Sequence, residues 1–306
     1  MRGNGDTLRD VSVVIASVEA ARSIDRCIDS IGDAVRGTRS ELIVVDASRD
    51  GSADIAERKL GRKCVLRYPP GTLTPELWAA GIARSTGRIV VLTTGHFDVK
   101  PTWIARLVDG LASGQRGVAG RIDLAEDTSV TDWATYYLRY SEFVSEPELR
   151  RTVTGIPADN AAYDGEEIRR FVATSLQGFW EVEFHRQIHA SGGSLALVSG
   201  ASARYGRSFP FWTILSHRFQ HGRHSGAWRV GTGERPRVLV IGAAPLVPFV
   251  LAARVWRRVK ALREHRRRFL MSVPVFLALA AAWAAGECIG AFGGAFVSRR
   301  PRFAAI

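Results

Sequence analysis

Three polar clusters in this chain each close an apolar run, and each offers donors and acceptors to a ligand. Ala16-Ser17-Val18-Glu19 follows Val11 to Ile15, Asp46-Ala47-Ser48-Arg49-Asp50-Gly51 follows Leu42 to Val45, and Thr93-Thr94-Gly95-His96-Phe97-Asp98 follows Ile89 to Leu92. A carboxylate at Asp46 can accept hydrogen bonds from a base or a ribose, and a turn closing on Gly51 lets backbone approach a ligand closely. The second cluster also has a purely structural reading, in which Asp50-Gly51 is a turn and Ser52 caps the next helix.

The runs that position these clusters are β-branched and apolar almost throughout, which suits strands buried on both faces of a parallel sheet. Between the first two, Ile24, Cys27, Ile28, Ile31 and Val35 recur at helical spacing, completing a βαβ unit. Ligands of open parallel sheets lie outside the carboxyl ends of the strands, so residues 16–19 and 46–51 are expected to line one crevice. Lys63 to Tyr68 reads as a third strand, and Thr74-Pro75-Glu76 as a helix start with Pro in the first turn and Glu at the positive end of the dipole. Residues 101–111 read as a helix and 117–124 as one strand. Trp133, Tyr136, Tyr137, Tyr140 and Phe143 mark an aromatic helix expected to cover the open end of the sheet. Residues 155–163 read as a loop, 164–171 and 181–191 as helices, 195–198 as a short apolar segment, and 209–221 as a helix.

The net charge of +12, from 42 basic and 30 acidic residues, is unevenly placed. From Val238 onward eleven Arg and Lys face only Glu264 and Glu287, which leaves +3 for everything before. Basicity interleaved with long apolar stretches fits an anionic membrane surface and not a nucleic-acid groove, so nucleic acid is excluded as a partner. Cys27, Cys64 and Cys288 are too scattered for a disulfide framework or a zinc site, which points to a reducing compartment. The first apolar run is short and follows Asp6 and Asp10, unlike a secretory signal, so the globular part is expected in the cytoplasm.

The order strand, polar turn, helix, strand, Asp46-x-Ser48-x-Asp50-Gly51, then Ala79-x-Gly81-Ile82-Ala83 with Gly87 before a strand tipped by polar residues, resembles the family 2 glycosyltransferases. A second motif adds to this: Trp180-Glu181, Glu183, Gln187 and Gly192 keep the spacing of the family's acceptor-side helix, and Asn160 stands where the family commonly has Asn before small residues. The resemblance implies a GT-A fold, an α/β architecture with a mainly parallel Rossmann-like sheet flanked by helices, and a nucleotide-diphosphate sugar donor. It implies that Ala16, Ser17, Glu19, Asp46, Ser48, Thr93 and Thr94 bind the donor nucleotide. It further implies that Asn160, Arg218 and Arg223 meet diphosphate or acceptor, and that Glu181 is the general base. A carboxylate opening a helix keeps its basic form populated at neutral pH, and inverting transfer needs one such group to deprotonate the acceptor hydroxyl. The chain departs from the family at the tip of the fourth strand, where Thr93-Thr94-Gly95-His96 replaces the metal-binding Asp-x-Asp. Three readings stay open there: His96 and Asp98 hold a divalent cation (Mg or Mn) from a displaced register, His96 and a helix end offset the diphosphate without metal, or activity has been lost. His96 also reads as an ordinary loop histidine.

Residues 1–232 are expected to form the GT-A domain, with a donor half at about 11–125 and an acceptor half at about 126–232. Residues 233–306 are expected to form a membrane-associated helical tail. Val238 to Trp256 and Phe269 to Val297 are each long enough to cross a bilayer, yet basic residues bracket both. Keeping every basic flank on the cytoplasmic face makes in-plane or re-entrant helices the simplest arrangement, with bends at Pro245 and Pro248 and in the series Gly286, Gly290, Gly293 and Gly294. The expected activity is inverting transfer of a hexose-type sugar, UDP- or GDP-linked, to a lipid-linked or glycan acceptor. The competing class is a non-catalytic sugar-nucleotide or glycan-binding protein. A dehydrogenase is disfavoured, since no Gly-x-Gly-x-x-Gly follows the first strand.

Overall fold

The apolar runs pair as expected. The computed structural model describes residues 11–126, 128–145, 150–175, 178–206 and 210–293. The elements that build the sheet region are β1 (Val11–Ser17), α1 (Ile24–Ala34), β2 (Ser40–Asp46), α2 (Ser52–Leu60), β3 (Val65–Arg67), α3 (Thr74–Arg84), β4 (Ile89–Thr94), β5 (Phe97–Val99), α4 (Trp103–Ala112), β6 (Gly117–Ala119) and β7 (Ile122–Leu124). After α5 (Val130–Tyr140) come β8 (Arg150–Val153), β9 (Asn160–Asp164), α6 (Gly165–Thr174), α7 (Glu181–Ala190), β10 (Leu195–Val198) and β11 (Ala203–Tyr205). Four helices follow: α8 (Phe211–Gly231), α9 (Arg237–Ala243), α10 (Val247–Val259) and α11 (Arg263–Phe292).

The main sheet has the order β3-β2-β1-β4-β9-β6-β10-β8, and a small sheet the order β5-β11-β7. β3, β2, β1 and β4 run parallel, with Ser17 level with Asp46 and Ala16 with Thr94, so the polar clusters share one rim. β9 is antiparallel to both β4 and β6. On one face α1 and α4 bury Ile24, Ile28, Ile31, Trp103 and Leu107 against Val13, Ile15, Val44 and Val91. Each such aliphatic side chain contributes roughly 1.5–3 kcal/mol, so a carboxylate at Ile28 would open this layer. α3 lies on the other face at Gly81, where a Cβ would come within 2.2 Å of Val14 Cγ1.

Several sequence expectations change. The strand expected over 117–124 is two, β6 and β7, in different sheets. The chain breaks where Gly120 passes so close to the Ala201 carbonyl that a Cβ would lie 1.7 Å from its oxygen. The end of the expected loop 155–163 is β9, a strand inside the main sheet. Ser52 is the first residue of α2 and not its cap; that position belongs to Gly51, with φ 88°.

Contacts divide the described chain into two compact units, and the boundary expected at 232 is not where they fall. Residues up to Asp123 together with Phe143–Gly206 form the first unit, and Leu124–Glu142 with the described residues from 210 onward form the second. The physical reason is that α5 and α8 bury their small and aromatic faces on α11. Tyr137 stacks edge-on against Phe269 at 5.5 Å, and Tyr136 lies over His265 at 6.1 Å. The aromatic face expected to cover the sheet therefore belongs to the second unit. α11 runs unbroken through Gly286 and Gly290, which are close-packing positions and not bends.

Candidate functional site

At the shared rim of the first unit the turn after β1 and the turn after β2 are tied together. Asp46, 2% exposed, accepts at Oδ1 from the Ser48 backbone N–H (2.9 Å) and at Oδ2 from the Ser48 hydroxyl (2.8 Å). That hydroxyl in turn accepts from the Glu19 N–H at 2.8 Å, and the Arg49 N–H donates to Glu19 Oε1 at 3.0 Å. Glu19 has φ 48°, in the left-handed region that non-glycine residues rarely occupy. Ala20 N–H donates to Ser52 Oγ (2.9 Å) and Ala21 N–H to Asp50 Oδ2 (2.9 Å), so Asp50 and Ser52 act as cross-ties.

Among the expected nucleotide contacts, Glu19 and Ser48 are partly open to solvent, while Ala16, Asp46 and Thr94 are buried behind them. Ser17 and Thr93 are corrections. Both are fully buried on the face packed by α1 and α4, with hydroxyls that meet no hydrogen-bond partner, so these side chains do not open on the rim. Asn160 is also a correction. Its amide is spent inside the protein, accepting from Trp103 Nε1 (2.6 Å) and donating to the carbonyls of Arg121 (3.0 Å) and Ala201 (2.9 Å). It clamps α4 to the segments that lead into β7 and β11.

The metal reading does not fit these residues. His96, buried at the base of the turn, has Nε2 3.0 Å from the Val18 carbonyl and Nδ1 3.4 Å from Ser23 Oγ. Asp98 lies opposite Arg204 across β5 and β11 and forms an ion pair with its guanidinium. Hard divalent cations take several free oxygen ligands. Here the carboxylate is neutralised and the imidazole engaged, and the described residues contain no cluster of three His, Cys, Asp or Glu able to hold an ion.

The segment just before Glu181 is tied to the end of β4 through a short series of contacts. The Trp78 indole N–H on α3 donates to the Thr93 carbonyl at the end of β4 (2.9 Å), and the Trp78 ring meets Phe179 edge-on at 6.4 Å. The Phe179 N–H donates to the Pro75 carbonyl at 2.8 Å. Before it, Gly178 has φ 103° and so little room that a Cβ would lie 2.8 Å from the same oxygen. Phe179 also packs on Tyr163, Phe171 and Phe184. This lock fixes the start of α7, whose first residue is Glu181, partly exposed.

Beneath Glu181 lies a pair that the sequence did not flag. Tyr163 Oη sits 2.9 Å from His185 Nε2. Burial, reinforced by Glu181 and Asp159, holds the phenol well above its usual pKa. Burial, with a smaller push from His189, takes the imidazole down to about 3. The phenol therefore donates to a neutral imidazole. The signal available was His185 one helical turn after Glu181.

Arg218 and Arg223 stand on α8, in the second unit. The Arg218 guanidinium lies over the Trp283 ring at 6.0 Å, and Arg223 donates to Gln220 Oε1 at 3.2 Å. Burial, helped by Arg139, lowers the Arg218 pKa to about 9, so it stays cationic at neutral pH.

The family model described as glycosyl transferase family 2 matches residues 12–169, more than half of the chain. The chain belongs to glycosyl transferase family 2. The match spans the tied rim, β4 and β9 and ends before Glu181. The architecture of this glycosyltransferase is the GT-A fold, a mostly parallel sheet flanked by helices. A crystal structure of a mycobacterial protein is similar over 71% of this chain and 76% of its own, at 21% identity and a TM-score of 0.50, a likeness of fold alone. S. aureus TarS, solved with UDP-GlcNAc, is 11% identical over 89% of this chain and 90% of its own, with a TM-score of 0.49. Glucosyl-3-phosphoglycerate synthase from Mycobacterium tuberculosis, solved with phosphoglyceric acid, is 21% identical over 69% and 79%, with a TM-score of 0.46. No curated protein matches the chain.

Proposed function

We propose that this glycosyltransferase moves a hexose-type sugar from a UDP- or GDP-linked donor to a lipid-linked or glycan acceptor, with inversion, at the cytoplasmic face of a membrane. The observation that supports the reading is the lock from Thr93 through Trp78 to Phe179, two residues before the partly exposed Glu181, which ties that segment to the end of β4 beside the Glu19–Ser48–Asp46 turns. In the reaction, Glu181 takes the proton of the acceptor hydroxyl. The oxygen attacks the anomeric carbon from the face opposite the diphosphate, the carbon–oxygen bond to phosphate breaks, and nucleoside diphosphate leaves with that electron pair. Ser48 and Glu19 supply donor contacts, and Asp46 holds Ser48 in place. The mechanism assigns no step to a metal, because the residues at the tip of β4 do not form a cation site.

The engagement of His96 with Val18 and of Asp98 with Arg204, where the family has its metal motif, favours a second reading, a sugar-nucleotide-binding protein without catalysis. Nucleoside diphosphate release, measured with a panel of donors on membranes carrying the chain, separates the two. Transfer requires release that drops at least about 100-fold in Glu181→Gln, with donor affinity within about twofold of wild type. Donor binding with no release from any donor would leave the binding reading.

A further inference from the structure

We propose that neither long apolar stretch crosses the bilayer: the second unit is a monotopic anchor that lies in an anionic lipid interface, with every connection on the side of the first unit. The inference rests on the membrane association proposed above and adds its geometry. By length and composition 237–259 and 263–292 could each span. What prevents it is how the chain reaches their ends.

The connection between the two stretches is held by α5. Arg258 donates to Ser141 Oγ (3.0 Å) and pairs with Glu142 (2.6 Å). Tyr137 Oη meets His265 Nδ1 at 3.1 Å, and the Arg268 guanidinium lies over Trp133. The chain leaves the first unit at Asp123 and rejoins it at Phe143, and α5, with 11 residues, is far too short to cross. Residues 260–262 therefore stay on the side of the first unit.

The other end of 237–259 is reached through α8. That helix is long enough to cross, but it carries Arg218, Arg223 and Arg229 with His217, His221 and His224 along its length. Guanidinium groups at mid-membrane depth are strongly disfavoured, so α8 stays at the surface and residue 237 stays with it. Both ends of the first stretch are then on one side.

α11 is pinned to α8 over its last turns. A Cβ at Gly286 would lie 2.0 Å from the Phe219 carbonyl oxygen, and one at Gly290 2.0 Å from that of Arg223. A Cβ at Gly222 would lie 2.0 Å from the Trp283 oxygen, and one at Gly226 2.0 Å from that of Glu287. The two helices run side by side in the same direction with backbones in contact, as small-residue faces permit. The Glu287 carboxylate is buried against α8 and pairs with Arg229 at 2.5 Å. A helix fastened in this way to a surface helix ends on the same side.

The exposed groups name the partner. Val238, Leu239, Leu246, Phe249, Val250 and Trp256 are open apolar side chains, and Arg254, Arg257, Lys260, Arg263, Arg266 and Arg267 are open cations within or just after the same stretch. Apolar groups inserted to headgroup depth, with cations among acidic lipid phosphates, match this pattern.

The test uses the full chain with Cys64 and Cys288 replaced by Ala, keeping Cys27, which is buried. Single reporters Gly233→Cys, Ala261→Cys and, in the first unit, Arg62→Cys are labelled with an impermeant maleimide in sealed cells and in inverted vesicles. All three should label from the same side. Labelling of position 233 or 261 from the side opposite Arg62→Cys would overturn the proposal. Flotation with vesicles separates this failure from that of the reading beneath it. At least tenfold more chain should float with vesicles of 30% phosphatidylglycerol than with pure phosphatidylcholine, falling in Arg254→Gln/Arg257→Gln/Lys260→Gln. Chain that floats with neither vesicle would refute membrane association itself, and with it the anchor.

Discussion

Gly178→Ala puts the positioning of Glu181 to a quantitative test. Gly178 has φ 103°, and an added Cβ would lie 2.8 Å from Pro75 O and 2.9 Å from Pro75 C. An L-residue held at such a dihedral costs about 1–3 kcal/mol. Relieving the contact requires a displacement of roughly 0.5 Å, which overpacking data place near 1 kcal/mol. The gain from a stiffer unfolded chain, about 0.4–1 kcal/mol, offsets part of this, leaving a net loss of roughly 1–3 kcal/mol. The same displacement stretches the bond from the Phe179 N–H, two residues before Glu181, to Pro75 and shifts the start of α7. Since misplacement by about 1 Å costs about 100-fold in rate, half of that predicts a kcat lower by roughly tenfold at unchanged donor affinity. Gly192→Ala is the control: φ is 79° at the far end of the same helix, and a Cβ there meets nothing within 4 Å. It should lose about 1 kcal/mol and keep its kcat. Nucleoside diphosphate release at saturating donor, with urea unfolding of both variants, provides the comparison. A Gly178→Ala enzyme that is destabilised as expected but turns over at the wild-type rate would show that the lock does not position the base.

Other outcomes follow from the same structure. His185 is neutral in the folded protein down to about 3, whereas an exposed histidine takes its proton near 6.5. Between those values the unfolded chain holds one proton more, so stability falls as pH drops, by about 1.4 kcal/mol per unit, and is unaffected above 6.5. His185→Gln should therefore lose about 2 kcal/mol less than wild type between pH 7 and pH 5 in denaturant titrations, and equal losses would contradict the burial. Gly286→Ala forces a methyl into the 2.0 Å gap at the Phe219 carbonyl and should lower stability in detergent by about 1–3 kcal/mol. Gly242→Ala, with nothing within 4 Å, should be neutral or slightly stabilising; similar behaviour of the two would mean that α8 and α11 do not touch. Because His96 and Asp98 are committed to Val18 and Arg204, donor affinity measured by calorimetry should be the same with chelator and with added Mg. A tenfold gain with Mg would reverse that assignment.

Much of the first unit was legible because its signals are local. Val11 to Ile15 and Leu42 to Val45 are continuous apolar runs, and the helix between them carries its stripe at the right period. At the rim, the tie between the two turns was legible where type and spacing both speak, as at Asp46 and Ser48. It misled where only the side chain's direction matters: Ser17 and Thr93 sit at the right height but face the wrong layer, and Asn160 has the right type but spends its amide on three internal partners. Gly286 read as a bend, Gly120 as part of a strand, and Gly222 carried no local signal. Each instead marks a place where another backbone passes within contact, which no local pattern reveals. The division into units was hidden for the same reason, since α5 finds its partner more than a hundred residues later, at His265 and Phe269.

The cross-ties between the turns after β1 and β2 bear on how a donor is greeted. Glu19, Ala20 and Ala21 each give a backbone N–H to a side chain of the second turn, and Arg49 returns one to Glu19. Two segments fastened at four points move as one lip, shaped before any visitor arrives. Little freedom is then left to surrender on docking, and discrimination among nucleotides falls to the fit of a finished edge rather than to the folding of loose loops around the guest.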